Sequence, residues 1–123
     1  AGCQYCMAHT ADSSAKAGIA EEKIAAAFEY ESNPLFSDAE RAALGLAQSA
    51  ASVPNLASDE DFAELRLYFS EEQIVEIVGV ISLFGFLNRW NDTIGTELED
   101  HPTQFAQKTI TASGWSVGKH TGD

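Results

Sequence analysis

Positive charge is scarce in this chain. Seven Lys and Arg stand against nineteen Asp and Glu in 123 residues, a formal net charge of −12. No Lys/Arg cluster exists, and a field of that sign repels a phosphate backbone or an anionic bilayer surface. The composition therefore argues against nucleic acid and membrane as partners, and the acidity reads as a solvated surface. Strand signals are missing too: no segment alternates apolar and polar residues with period two. Long apolar runs are scarce. The most apolar, residues 74–87, is broken by Glu76 and Ser82. It is too short for a bilayer and reads as a buried core helix. No signal-peptide pattern is present. Cysteine is limited to two residues, too few for a disulfide scaffold, which makes the cytoplasm the default compartment.

What is present is a helical pattern. Hydrophobic residues make up 45% of the chain, enough for one domain with a core. Residues 1–17 read as an Ala-rich helix closed by Gly18, and residues 21–30 as a second helix with acids in its first turn. Ser37 with Glu40 three residues on has the form of a capping box. The helix it starts runs from Asp38 until Val53-Pro54-Asn55 stops it. Ser58 caps a helix over 59–68. Ser70 caps the longest, from Glu71 to Gly95, whose stripe is Ile74, Ile77, Val78, Ile81, Phe84, Leu87 and Trp90. A last helix is expected over 102–111, then a coil tail with Trp115 on the body. The fold class is all-α, divided as a helical domain over 1–98 and a C-terminal extension over 99–123 packed on it. His101 and His120 read as exposed tail residues.

Chemistry concentrates at one end. Cys3, Cys6 and His9 fall within seven residues on the first helix. Thiols three apart on a helix share a face. The thiolate is the nucleophile, and an ordinary thiol with a pKa of about 8.5 is mostly protonated at neutral pH. Cys6 has His9 at i+3 as an acid–base partner, whereas Cys3 has none in sequence. Cys6 is therefore the expected attacking thiol, forming a sulfenic acid on which Cys3 condenses to a disulfide. An external thiol or dithiol reductant must then restore the pair. Competing readings are small buried structural cysteines, a zinc site from Cys3, Cys6 and His9, and a thioredoxin-like motif. Zinc sites usually add a second ligand pair elsewhere, and none is evident. The thioredoxin motif needs a strand-to-helix junction.

Gly2-Cys3-Gln4-Tyr5-Cys6 followed by His9-Thr10 resembles the active-site helix of the carboxymuconolactone decarboxylase/AhpD-like alkylhydroperoxidase superfamily. Phe36 to Leu44, Phe69 to Ile77 and Phe86 to Asp92 extend the resemblance over about residues 2–98. It implies an all-helical AhpD-like bundle, homo-oligomers (dimers, trimers or hexamers), and peroxidase chemistry on hydrogen peroxide or small organic hydroperoxides. It implies Cys6 as the peroxide-reacting thiol, Cys3 as the resolving one and His9 as the relay histidine. No cofactor and no metal are expected. Alternatives are a decarboxylase-type acid–base enzyme of the same superfamily and a non-catalytic redox-responsive assembly protein.

Two departures stand out. His9 follows Cys6 by three residues, where many members use four. The family's relay glutamate would lie before Ala1, so an upstream segment is expected in the native protein. Asn88-Arg89-Trp90-Asn91 has the shape of Cys3-Gln4-Tyr5-Cys6, and Glu76 precedes it by twelve residues, which suggests a degenerate second copy of the active-site unit over 70–95.

Overall fold

The structure, a computed structural model, describes residues 2–122. Those residues form α1 (Gln4–Lys16), α2 (Glu21–Ala25), α3 (Asp38–Ala51), α4 (Asp59–Leu65), α5 (Glu71–Ile94) and α6 (Asp100–Thr109). Short 3-10 turns occupy Ala27–Glu29 and Thr111–Ser113, and no strand occurs among the described residues. The all-α class expected from the sequence is the class observed.

The start signals act as their chemistry dictates. Ser37 Oγ accepts from the Glu40 amide at 3.2 Å, and the Glu40 carboxylate accepts from the Ser37 amide at 2.8 Å. Ser58 and Asp61 repeat the box at 3.3 and 2.9 Å, and so do Ser70 and Gln73, again at 3.3 and 2.9 Å. Each satisfies amides the helix leaves unpaired, a contribution of about 1 kcal/mol apiece. α1 closes where Gly18 takes φ 95°, with its amide on Ala15 O and the Ile19 amide on Ser14 O, both at 3.0 Å. Pro102 lies in the first turn of α6, where a missing N–H costs nothing. α2 and α4 are shorter than the expected 21–30 and 59–68, because each hands its last turn to tighter turns.

The chain divides into two compact units, Tyr30–Phe86 and Gly2–Glu29 with residues 87–122. In the first, Ala42 and Leu46 of α3, Leu65 of α4 and Ile74 of α5 form a buried cluster, with Phe62, Phe69, Ile77 and Ile81 packed against it. Leu65 is fully buried. Leu65→Ala should cost about 2–5 kcal/mol by leaving a cavity, read as a lower urea midpoint with unchanged slope.

In the second unit α1 packs on α6 and α2. Ala8, Ala11, Ile24, Leu98, Ala106, Ile110 and Trp115 make its core. The small side chains of Ala8, Ala11 and Ala106 are almost entirely buried, which lets α1 and α6 approach closely. Trp115 Nε1–H donates to Gln4 O at 2.9 Å, which ties the C-terminal tail to the start of α1.

The buried-helix reading of residues 74–87 does not hold. Of the α5 residues only Ile74 is buried. Ile77 and Ile81 follow it on the side that meets the first unit's core. A second apolar stripe, Val75, Leu83, Phe86, Trp90 and Ile94, is exposed. Periodicity detects that a helix is apolar but not which of its sides the chain covers. The helix as folded is 24 residues long, apolar and long enough to cross a membrane by length and composition alone. Core helices of soluble proteins share those properties.

Candidate active site

Cys3 is not inside α1 but caps it. Its backbone is extended (φ −74°, ψ 106°), and its Sγ accepts from the Cys6 amide at 3.3 Å. Serine, threonine, aspartate and asparagine usually fill this position, so the sulfur stands where an oxygen is normally found. Negative charge developing at a helix N-terminus is met by amide N–H groups. The cap geometry brings Cys3 Sγ to 2.9 Å from Cys6 Sγ. Both thiols are free and buried, at 3% and 7% exposure.

Cys6 is held from a second direction. Thr96 Oγ1–H donates to Asn91 Oδ1 at 2.8 Å, which fixes the orientation of that amide. Asn91 Nδ2 then faces Leu87 O at 3.0 Å and Cys6 Sγ at 3.8 Å. The last residue of the Asn88–Asn91 quartet thus meets the last residue of the cysteine quartet. Burial pushes the Cys6 thiol up to about 12, with the hydrogen bond and charge of Cys3 adding, the Asn91 hydrogen bond opposing and the Asp92 charge adding. Cys6 therefore keeps its proton at neutral pH.

His9, expected beside Cys6, directs its Nε2 to Glu99 Oε2 at 2.7 Å. The imidazole is about one-third exposed and the carboxylate more so. Glu99 lies just before α6. Its own backbone amide holds its carboxyl below the usual carboxylate range, and the His9 hydrogen bond adds to that. Tyr5 packs its ring on His9 at 4.4 Å between centroids and lies 5.9 Å from the His120 ring. Burial raises the Tyr5 phenol, with charge on Glu99, Cys6 and Cys3 adding.

Sequence reasoning missed two of these groups. Glu99 supplies a carboxylate to His9 from 90 residues downstream, where the resemblance placed a glutamate upstream. His120 is fully buried, not an exposed tail residue. Leu98 N–H donates to His120 O at 2.9 Å and His120 N–H to Val117 O at 3.2 Å, so the tail folds back onto the site. No local pattern could have announced either. His101 is exposed, with Nδ1 3.3 Å from Asp12 Oδ1.

The zinc set weighed from the sequence, Cys3, Cys6 and His9, is not the set that converges. Cys3 Sγ instead meets a carboxylate oxygen of Asp92 and a ring nitrogen of His120, all within 4.8 Å of one another. His120 Nε2 and Asp92 Oδ1 are 3.7 Å apart, inside the ~3.3–3.8 Å spacing of donors on one tetrahedral zinc, but the cluster offers three protein donors where a closed structural site takes four. Asp92 is also engaged by Lys119 Nζ at 3.1 Å. The arrangement suits proton exchange among three ionisable groups better than a closed metal cage.

No protein-family model matches the chain. It is 28% identical over 92 residues to the uncharacterized protein YnjA of Escherichia coli (strain K12), covering 75% of this chain and 50% of YnjA. To the uncharacterized protein YdfG of Bacillus subtilis (strain 168) it is 32% identical over 92 residues, covering 73% of this chain and 60% of YdfG. Among solved structures it resembles the debrominase Bmp8. A Cys-to-Ala variant of Bmp8 in complex with 2,3,4-tribromopyrrole superposes with TM-score 0.82 and 35% identity over 89% of this chain and 58% of Bmp8. Apo Bmp8 gives 0.81 and 35% over 88% and 58%. The chain thus spans between half and three-fifths of the length of these proteins, and it shares the all-helical fold of Bmp8.

Proposed function

We propose that this chain is a thiol-dependent oxidoreductase of the carboxymuconolactone decarboxylase/AhpD-like superfamily, working through Cys3 and Cys6. The observation that carries this reading is the 2.9 Å separation of the two sulfurs. A disulfide of about 2.05 Å then needs an approach of less than about 1 Å. An acid–base mechanism without thiols would leave this paired geometry without a purpose.

The first thiolate is assigned to Cys3, which reverses the roles expected from sequence. Cys6 keeps its proton, and His9 is turned to Glu99. Cys3 thiolate attacks the outer oxygen of a hydroperoxide, the O–O bond breaks, and Cys3 becomes a sulfenic acid while the alcohol leaves with a proton. Cys6 sulfur then displaces the sulfenic oxygen, and its proton leaves in the water formed. An external thiol or dithiol reduces the resulting disulfide. The partly exposed His9–Glu99 pair supplies a proton-exchanging group at the solvent side of α1.

The likeness to Bmp8 favours a second reading, reductive dehalogenation of a small halogenated heteroaromatic. There the dithiol supplies two electrons: carbon–halogen becomes carbon–hydrogen, halide leaves with a proton, and the thiols become a disulfide. Both readings are tested by one experiment. The reduced protein is offered hydrogen peroxide, cumene hydroperoxide or a polybrominated pyrrole, and the disulfide is followed by thiol titration and mass. The first reading expects disulfide with the hydroperoxides, the second disulfide with stoichiometric bromide release. A dithiol inert to all three would overturn both.

A homo-oligomer completes the proposal, with a second copy of this chain covering the exposed stripe of α5.

A further inference from the structure

We propose that His120 is the proton acceptor for the Cys3 thiol, with Asp92 as the carboxylate beside the pair. His120 Nδ1 lies 2.8 Å from Thr96 O. A carbonyl oxygen only accepts, so Nδ1 carries the proton, and in the neutral ring Nε2 is left with its lone pair. That nitrogen is buried in a residue with no exposed surface and has no hydrogen-bond partner. Native chains rarely leave a buried acceptor unpaired without a use for it.

What Nε2 faces suggests the use. Cys3 Sγ and a carboxylate oxygen of Asp92 lie with it inside a 4.8 Å triangle. Asp92 Oδ1 is 3.7 Å from Nε2, and Asp92 Oδ2 takes Lys119 Nζ at 3.1 Å. From α1 the other ionisable groups near the ring are Tyr5, with centroids 5.9 Å apart, and Cys6, hydrogen-bonded to Cys3. The tail is built to hold the ring there. Trp115 anchors it to Gln4 O, Gly118 turns it at φ 56°, and Leu98 N–H fixes the His120 carbonyl.

The step conserves charge. Cys3 Sγ–H gives its proton to His120 Nε2, leaving a thiolate beside an imidazolium. The new Nε2–H faces Asp92 Oδ1 and stays available for the alkoxide oxygen released when the peroxide O–O bond breaks. Thr96 O keeps its hydrogen bond throughout, so the ring need not turn. His9, which is partly exposed and bonded to Glu99, serves the solvent side instead. The proposal deepens the dithiol reading but is tested on Cys3 alone, so the two can fail separately.

The test uses Cys6→Ser protein, in which Cys3 is the remaining thiol. Its alkylation by iodoacetamide is followed by intact mass between about pH 5 and 10. The expected profile keeps a reactive shoulder below the free-thiol inflection. His120→Gln should remove the shoulder and slow alkylation near neutral pH by about tenfold or more. Free imidazole should restore the rate in His120→Gly, which general structural damage would not permit. If the Cys6→Ser profile follows a single free-thiol titration near pH 8.5, the proposal is wrong whatever the His120 variants do. Stoichiometric zinc retained by the purified protein and lost in His120→Gln would also overturn it, by giving the same lone pair to a metal.

Discussion

Cys3→Ser is expected to abolish substrate-dependent turnover, by a thousandfold or more as an order of magnitude, because a serine hydroxyl is not ionised at neutral pH and cannot carry the oxidised intermediate. Cys6→Ser should behave differently. It should consume about one equivalent of hydroperoxide and stop, leaving Cys3 as a sulfenic acid heavier by about 16 Da and trappable by dimedone. The asymmetry follows from local physics. Cys3 caps α1 and accepts an amide N–H, whereas Cys6 lies one turn in, where burial pushes its thiol up to about 12. Rapid quench of each variant, followed by mass spectrometry, reads the order directly. A sulfenic acid on Cys6 in the Cys3→Ser protein, with Cys6→Ser inert, would restore the order expected from sequence.

Sequence reading works within a few turns of helix and stops where tertiary packing takes over. Helix starts at Ser37, Ser58 and Ser70 were legible because the box is written within four residues. The pairing of Cys3 with Cys6 was legible for the same reason. The i+3 placement of His9 was equally visible, but its hydrogen bond was not, because the competing acceptor, Glu99, lies 90 residues away. His120 is more distant still, and its burial depends on the tail returning over α1 through Trp115 and Leu98. Local spacing constrains what a turn of helix can bring together. It says nothing of a carboxylate or imidazole delivered by tertiary packing. The capping role of Cys3 was missed for a different reason: sulfur is an uncommon cap, so residue preference gave no signal.

Leu83→Glu, or Val75→Glu in a separate chain, is expected to convert an oligomer into monomers. Leu83 is 54% and Val75 70% exposed, on the stripe they share with Phe86, Trp90 and Ile94. Those positions recur at helical spacing, opposite the Ile74, Ile77 and Ile81 side that the chain already uses. A helix apolar on both sides needs a second partner to take the outer side from water. A copy of the same chain fits, since past Glu72 and Glu76 in the first turns the stripe carries no charged residue over 77–94, while the molecule as a whole carries a net −12, which disfavours broad, non-specific contact. Gly79 lies between Val75 and Leu83 on that stripe, and a Cβ built there meets nothing, so two α5 helices can approach closely at this point. A glutamate at the centre of the interface would lose about 4 kcal/mol to desolvation, roughly a thousandfold in Kd. Sedimentation velocity at micromolar concentration should show the shift in mass, with circular dichroism unchanged because neither residue belongs to the buried clusters. Wild-type protein that sediments as a monomer at every concentration, or that partitions to phosphatidylcholine vesicles through α5, would show that another surface covers this helix.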